Sequence, residues 1–331
     1  MLGLRTRTHN LTRRIASTRL WARIRPLYKS STAHGRLQPL LLRWFGVAGI
    51  IGENASRAAD RGPVPRVDQA LLERFYGARP VSVERDTFVL YRVIGNDLVP
   101  RHRKGQSRDN LRFILEHEPR LADCEKRWVV NRIADPEEDV AIRSLLEEYG
   151  QSYLYIPFVH SEYANRQWDL GGLPFNGYTL SNEFQSLPRS YRDRLFKRVY
   201  RHKNNYLINN NGARNAALED GRSKAKWILP WDGNCFLTAG AWSELRNAVV
   251  SRPWYPYFIV PMARVTDHTS LLNPDFRPEA TQEPQILFRR DAADKFDERF
   301  YYGRRPKVEL LWRLGVPGPW DHWAMEPWDL P

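Results

Sequence analysis

The sequence predicts an α/β fold: a mixed, mainly parallel sheet flanked by helices, behind a basic and partly helical amino-terminal extension. Three observations carry that expectation. Between Asp86 and Ile156, short β-branched and aromatic runs alternate with amphipathic ones in the order strand, helix, strand, helix, strand. Units of about 40 residues in that order argue parallel strands joined by right-handed crossovers. Farther on, the apolar run Trp227-Ile228-Leu229-Pro230 reads as a buried strand that leads into Asp232-Gly233-Asn234. Finally, the formal charge of +13 is unevenly spread: residues 1–66 hold thirteen Lys/Arg against two acids, Glu53 and Asp60. That leaves only +2 for residues 67–331, read as one domain.

Residues 1–36 are Arg-rich, contain Ser and Thr, and lack acids; Leu11, Ile15, Leu20, Ile24 and Leu27 recur at roughly helical spacing. The stretch reads in three ways: a basic arm with one packing helix, an organellar address, or an anchor on an anionic membrane surface through residues 1–52. Residues 37–52 are interrupted by Pro39 and Arg43 and fall short of the about 20 apolar residues that span a bilayer. The charged region is too long for a secretory signal, so the expected location is cytoplasmic, with the membrane inner face as the peripheral alternative. Residues 53–66 read as a polar Gly/Pro linker.

Residues 86–94 form the first expected strand, ended by Gly95-Asn96-Asp97. Ser107 is the expected N-cap of a helix from Arg108 to Glu118, with Leu111, Ile114 and Leu115 on one face and Pro119 ending it. Residues 126–130 are the second strand. Asp135-Pro136-Glu137-Glu138 opens the next helix, with proline at the first helical position and acids in the first turn. Gly150 stops it, and residues 152–156 are the third strand. Residues 157–205 are rich in Tyr, Asn and Arg and read as an insertion, with a helix from Tyr191 to Lys203; acceptor binding, a lid and a structural flap are the alternatives. A helix beginning at Gly212 precedes the Trp227–Pro230 strand, and residues 239–249 form another. Residues 257–265 are a strand followed by Asp267 and His268, which serve either a metal, an acceptor or local hydrogen bonding. Residues 283–291 read as an edge strand running into a helix, and residues 305–315 as a last helix before a Trp-rich tail.

An apolar fraction of 42% and an aromatic fraction of 12% suffice for a core and exclude a disordered chain. Cys124 and Cys235 are too few for a disulfide framework and read as buried thiols. Zinc is not expected, since no Cys/His cluster is present. A nucleic-acid partner is not expected either, because the positive charge belongs to the extension.

Ala213-Arg214-Asn215-Ala216-Ala217-Leu218, followed by a strand and Asp232-Gly233-Asn234, resembles the core signature of GT-A glycosyltransferases. That family carries a Gly-x-x-x-Arg-Asn-x-(Ala/Gly)-Leu helix and then a strand ending in Asp-x-Asp. Asn234 stands where the last acid falls, which keeps an oxygen but removes a charge. The resemblance continues in order over roughly residues 86–315. It implies a GT-A-like, Rossmann-like domain that moves a sugar from a nucleotide-sugar donor to a glycan or other hydroxyl acceptor, with inversion, as in polysaccharide biosynthesis.

The resemblance also implies site roles. Asp232, with Asn234 and His322, would hold Mg²⁺ or Mn²⁺ on the diphosphate. Arg92, Asn96 and Asp97 fall in the first nucleotide loop, and Asn131 and Asp135 in the second. Asp135 reads equally as a helix cap. Arg214 would neutralise the diphosphate and Asn215 would brace the following loop, or both simply buttress their helix. Phe296-Asp297-Glu298 resembles the run before the family's acceptor helix. The acidic pair that supplies the family's base is replaced, with Lys307 near its place, so Glu309 is the remaining candidate base or a surface acid. A non-catalytic nucleotide- or glycan-binding protein and a basic membrane-surface adaptor are the alternatives. Nucleotidyl transfer is disfavoured, since no Gly-rich, Lys-containing phosphate loop follows the first strand.

Overall fold

A computed structural model describes residues 69–99, 102–273, 275–300, 307–316 and Gly318. The predicted extension and linker, residues 1–66, lie outside the described residues, as does His322. The described residues fall into two compact units: Trp168–Arg201 with Gly318, and the remainder.

In chain order the elements are α1 (Gln69–Gly77), a 3-10 turn (Pro80–Val83), β1 (Phe88–Ile94), α2 (Gln106–His117), β2 (Cys124–Asn131), α3 (Pro136–Glu148), β3 (Ser152–Ile156) and α4 (His160–Ala164). There follow α5 (Asn182–Gln185), α6 (Arg189–Val199), α7 (Arg201–Ile208), α8 (Asn210–Gly221), β4 (Trp227–Asp232), α9 (Ala239–Val250), β5 (Tyr257–Met262), β6 (Gln282–Arg289) and α10 (Val308–Arg313).

The larger unit is an α/β structure built on one mixed sheet of six strands, in the order β3-β2-β1-β4-β6-β5. Neighbours among β3, β2, β1 and β4 pair in parallel, and β6 runs antiparallel to both β4 and β5. Every residue of β1 is buried, as a central parallel strand covered on both faces requires. On one face, Leu90, Trp227, Leu229 and Leu287 pack with Trp242 and Val249 of α9. Trp128 and Val130 pack with Leu111 and Ile114 of α2 and with Ile142 and Leu145 of α3. The opposite face of β1 and β4 receives α8. A Cβ on Gly221 would stand 2.7 Å from Ile228 Cγ2 and 3.2 Å from the Tyr91 ring, so a glycine lets helix and sheet approach. Tyr91 donates its hydroxyl to Asp220 on the same helix.

Two expectations about elements need correction. Residues 283–291 are not an edge strand: β6 lies inside the sheet, with β5 at the edge, and it runs into a turn rather than a helix. Its Ile286, Leu287 and Phe288 are buried, while Pro284 falls outside the register with β4, so its missing N–H costs no bond there. Ser107 is not an N-cap: Gly105, in the left-handed region, precedes α2, and Ser107 lies in its first turn. There its N–H and hydroxyl both donate to Asp97, at 3.0 and 2.7 Å.

The smaller unit has its own apolar cluster of Tyr178, Phe184 and Leu187, with Leu173, Tyr191 and Leu195 against it. Asp169 accepts the guanidinium groups of Arg198 and Arg201, the latter at 2.7 Å. The basic helix expected over Tyr191–Lys203 is divided into α6 and α7.

Among the described residues, no helix is long and apolar enough to cross a membrane. Cys235 is buried, and burial pushes its thiol up to about 12; Cys124 is half-buried and burial likewise raises it to about 12.

Candidate functional site

The carboxyl ends of β1 and β4 lie side by side where the strand order reverses: the chain builds β2 and β3 on one side of β1 and then returns to add β4 on the other. Crevices outside such a switch point are the usual ligand sites of open α/β sheets. Of the residues singled out by sequence, Asn96, Asp97, Asn131, Asp135, Asp232 and Asn234 lie at or just after the ends of β1, β2 and β4.

Arg92 was expected in the first loop but lies within β1 and is fully buried. Its Nε donates to the carbonyl of Cys235 at 2.7 Å, and its Nη2 pairs with Glu118. Its guanidinium also lies over the Trp128 ring. Glu118 is further paired with Lys126 at 2.9 Å and accepts the N–H of Leu237 at 2.8 Å. Arg92 thereby fixes the segment after β4 to the core.

Asn96 ties the first loop to the second: its Nδ2 donates to Arg132 O and its Oδ1 accepts from Ala134 N, both at 2.7 Å. Asn131, buried at the end of β2, donates to Ile208 O at 2.6 Å. Asp97 is held by Ser107, as described. Asp135 caps α3, accepting from Glu137 N and Glu138 N at 3.1 and 3.4 Å, with Lys104 3.4 Å away. These bonds hold its carboxyl below the ordinary range.

Asp232 ends β4 and faces a cluster drawn from three other elements. Arg214 of α8 pairs with its Oδ1. On Oδ2, Gln285 of β6 donates at 2.8 Å and Lys307 stands at 3.5 Å. Lys307 also reaches Glu283 Oε1 at 3.4 Å. Burial on its own would raise the Asp232 carboxyl; the Arg214 and Lys307 charges, with the bonds from Gln285 and Arg214, outweigh it and hold it far below the usual carboxylate range. Glu283 moves the other way: burial raises it, and the Asp232 charge adds to burial against the lowering by Lys307. Two carboxylates of one cluster are thus pushed apart, the pattern of an acid–base site.

Arg214 is braced by Asn211 Oδ1 at 2.9 Å and lies over the Phe296 ring. Asn215 donates to Phe296 O and to Glu298 Oε1, both at 2.9 Å, and accepts from Phe296 N at 3.0 Å. The Phe296-Asp297-Glu298 run is therefore fastened along α8. Glu309 sits apart from these bonds: Arg313 grips it at 2.6 and 3.1 Å. Asn234 is exposed in the turn after β4. Asp267 accepts from Thr269 N at 3.0 Å, the local hydrogen bonding expected as one alternative.

The sequence reading did not single out Glu283, Gln285 or the contact of Lys307 with Asp232. The available signal was the i, i+2 spacing of Glu283 and Gln285, which puts both on one side of a strand.

The donor set does not fit Mg²⁺ or Mn²⁺ as arranged. Such cations ask for several oxygen ligands. Here both Asp232 oxygens are taken by Arg214, Gln285 and Lys307, and two of these partners are themselves cations. Among the described residues, no group of three or more His, Cys, Asp or Glu is placed to hold a metal.

The same unit holds a pocket of ≈ 490 Å³ whose wall includes Arg132, Arg166, His202, Asn209 and Glu298, the last bonded by Asn215 of α8.

Comparison with family models, with curated proteins and with solved structures finds no match to this chain.

Proposed function

We propose that the chain is a GT-A-like glycosyltransferase, moving a sugar from a nucleotide-sugar donor to the hydroxyl of a glycan or other acceptor. The observation that supports it best is the Arg214–Asp232–Lys307–Glu283 cluster at the switch point of the sheet. The mixed, mainly parallel sheet and the attachment of Phe296-Asp297-Glu298 to α8 agree with that reading.

In this proposal Arg214 and Lys307 supply the positive charge that the leaving nucleoside diphosphate needs. Asp232 holds both cations in place before the donor arrives. Glu283, its basicity raised, takes the proton from the acceptor hydroxyl. The acceptor oxygen forms its bond to the anomeric carbon as the bond to the diphosphate oxygen breaks, and the diphosphate leaves with that electron pair. No step is routed through a divalent cation. The peripheral contact of residues 1–52 with an anionic membrane belongs to the same proposal.

A second reading, nucleotide binding without turnover, draws on the neutralisation of Asp232 by its neighbours. One experiment separates the two. Thermal melts against a panel of nucleoside diphosphates identify the donor base, since a ligand that binds only the folded state raises Tm. The matching nucleotide sugar is then assayed for release of diphosphate with simple glycan acceptors. A shift with turnover supports transfer, a shift without it supports the binding reading, and no shift with any diphosphate overturns both.

A further inference from the structure

We infer that the pocket beside Arg132 is an oxyanion site that takes a phosphate group separate from the diphosphate assigned to Arg214 and Lys307. The site rests on its own geometry; its separateness from the donor diphosphate rests on the transferase reading.

Arg132 leaves β2 with φ 47, in the left-handed region that a long side chain rarely adopts. Two bonds of 2.7 Å lock it there, from its own N–H to Ile156 O and from Asn96 Nδ2 to its carbonyl. Asn209, at φ 25 between α7 and α8, is also in a strained conformation, and its Oδ1 caps Gly212 N at 3.0 Å. Among the described residues only Asp123 shares this feature with them outside glycine, so the strained positions concentrate on one pocket. Backbone strain of this kind gathers where a ligand is gripped.

The pocket's charge is unbalanced. The Arg132 and Arg166 guanidinium groups both lie over the Tyr206 ring, at 5.0 and 5.2 Å from its centroid. Among the described residues, neither has a carboxylate partner, and Arg132 Nε is buried without an acceptor. The one acid of the lining, Glu298, is engaged by Asn215 at 2.9 Å. His202 and Asn205 add polar groups, and Asn209, the N-cap of α8, completes the lining at the amino end of that helix. Paired guanidinium groups beside a helix amino terminus suit a phosphate, whose oxygens accept several charge-assisted bonds at once.

The wall is also fixed in place. The buried Lys203 ammonium donates to Tyr163 O at 2.8 Å and Ala164 O at 3.2 Å, and Tyr206 meets the backbone of Val159 at 3.1 and 3.3 Å. Those bonds hold α4, and Arg166 just after it, against α7.

The test is calorimetric titration of the full chain with inorganic pyrophosphate, run alone and with the nucleoside diphosphate found in the melts held at saturation. Pyrophosphate is expected to bind in both conditions. With the nucleoside diphosphate saturating, so that the Arg214–Lys307 site is filled, its affinity should fall at least about tenfold in Arg166→Gln and in Arg132→Gln. If Arg132→Gln fails to fold, Arg166→Gln on its exposed loop carries the test. Equal affinity in the wild type and Arg166→Gln overturns the site. Displacement by saturating nucleoside diphosphate overturns the separate phosphate, and glucuronate binding in preference to pyrophosphate overturns the ligand class. Absence of nucleoside diphosphate binding would sink the transferase reading while leaving the pyrophosphate result to stand.

Discussion

A Cβ on Gly233 would stand 2.4 Å from the carbonyl oxygen of Val93. The chain leaving β4 therefore crosses the backbone of β1 at a distance only glycine permits. Asp232 is pressed against the switch point by this contact, and Asn234 turns out to solvent beyond it. The middle position of Asp232-Gly233-Asn234 is set by packing.

Gly233→Ala is accordingly expected to destabilise the protein by about 1–3 kcal/mol, since backbone must shift to admit the methyl group. Gly95→Ala is the control, because a Cβ there meets nothing within 4 Å. Thermal melts should separate the two variants clearly. Equal melting temperatures would refute the close approach.

The Asp232 ion pairs predict a particular acid sensitivity. Its folded carboxyl titrates below the ordinary value of 3.8, so the unfolded chain binds more protons in acid. The stabilisation is fully present above about pH 4 and is lost as pH falls below it. Asp232→Asn removes that contribution and leaves Arg214 and Lys307 facing each other. The cost near neutrality should be about 1–3 kcal/mol, discounted because the Asp232 side chain is 36% exposed. Urea melts from pH 6 to about pH 3 should show the gap between wild type and variant narrowing in acid. A constant gap would argue against the ion pairs.

Much of the frame was legible in the chain, and the limits have physical causes. The run at residues 88–94 declares itself because a central parallel strand is apolar on both faces, whereas β3, at the sheet edge with no buried residue, shows only as a short aromatic and aliphatic run. The Asp135-Pro136 start of α3 is written locally, as is the end of that helix. Arg92 misled because the resemblance put it in the first nucleotide loop although the strand pattern already covered it, and its partners, Glu118 and Cys235, lie far along the chain. The placement of β6 between β4 and β5 was hidden for a similar reason, since antiparallel insertion depends on partners in distant segments. Asp232 could be found from a motif; Gln285, which bonds it, is 53 residues away.

Nucleoside diphosphate binding should not depend on divalent metal. With Arg214 and Lys307 already at Asp232, the positive charge a diphosphate needs is supplied by the chain. Melting shifts measured with Mn²⁺ and with a chelator are expected to agree within error, whereas Lys307→Ala should weaken binding by about tenfold, the loss of one charge-assisted contact. A shift that appears only with Mn²⁺ would restore the metal to Asp232 and Asn234.

The two candidate bases make opposite predictions. Glu283 shares the ammonium of Lys307 with Asp232 and has a raised carboxyl, whereas Glu309 is held by two bonds from Arg313. A base must be deprotonated to work, so activity should fall in acid as Glu283 takes up its proton, above the ordinary value of 4.5. Glu283→Gln should lower kcat by about 100- to 10,000-fold with little change in the donor KM, and the acid limb should vanish from any residual rate. Glu309→Gln should retain kcat within about threefold, since its carboxylate serves a surface ion pair. Reversal of these two results would move the base to α10 and leave Glu283 as a partner that merely orients Lys307.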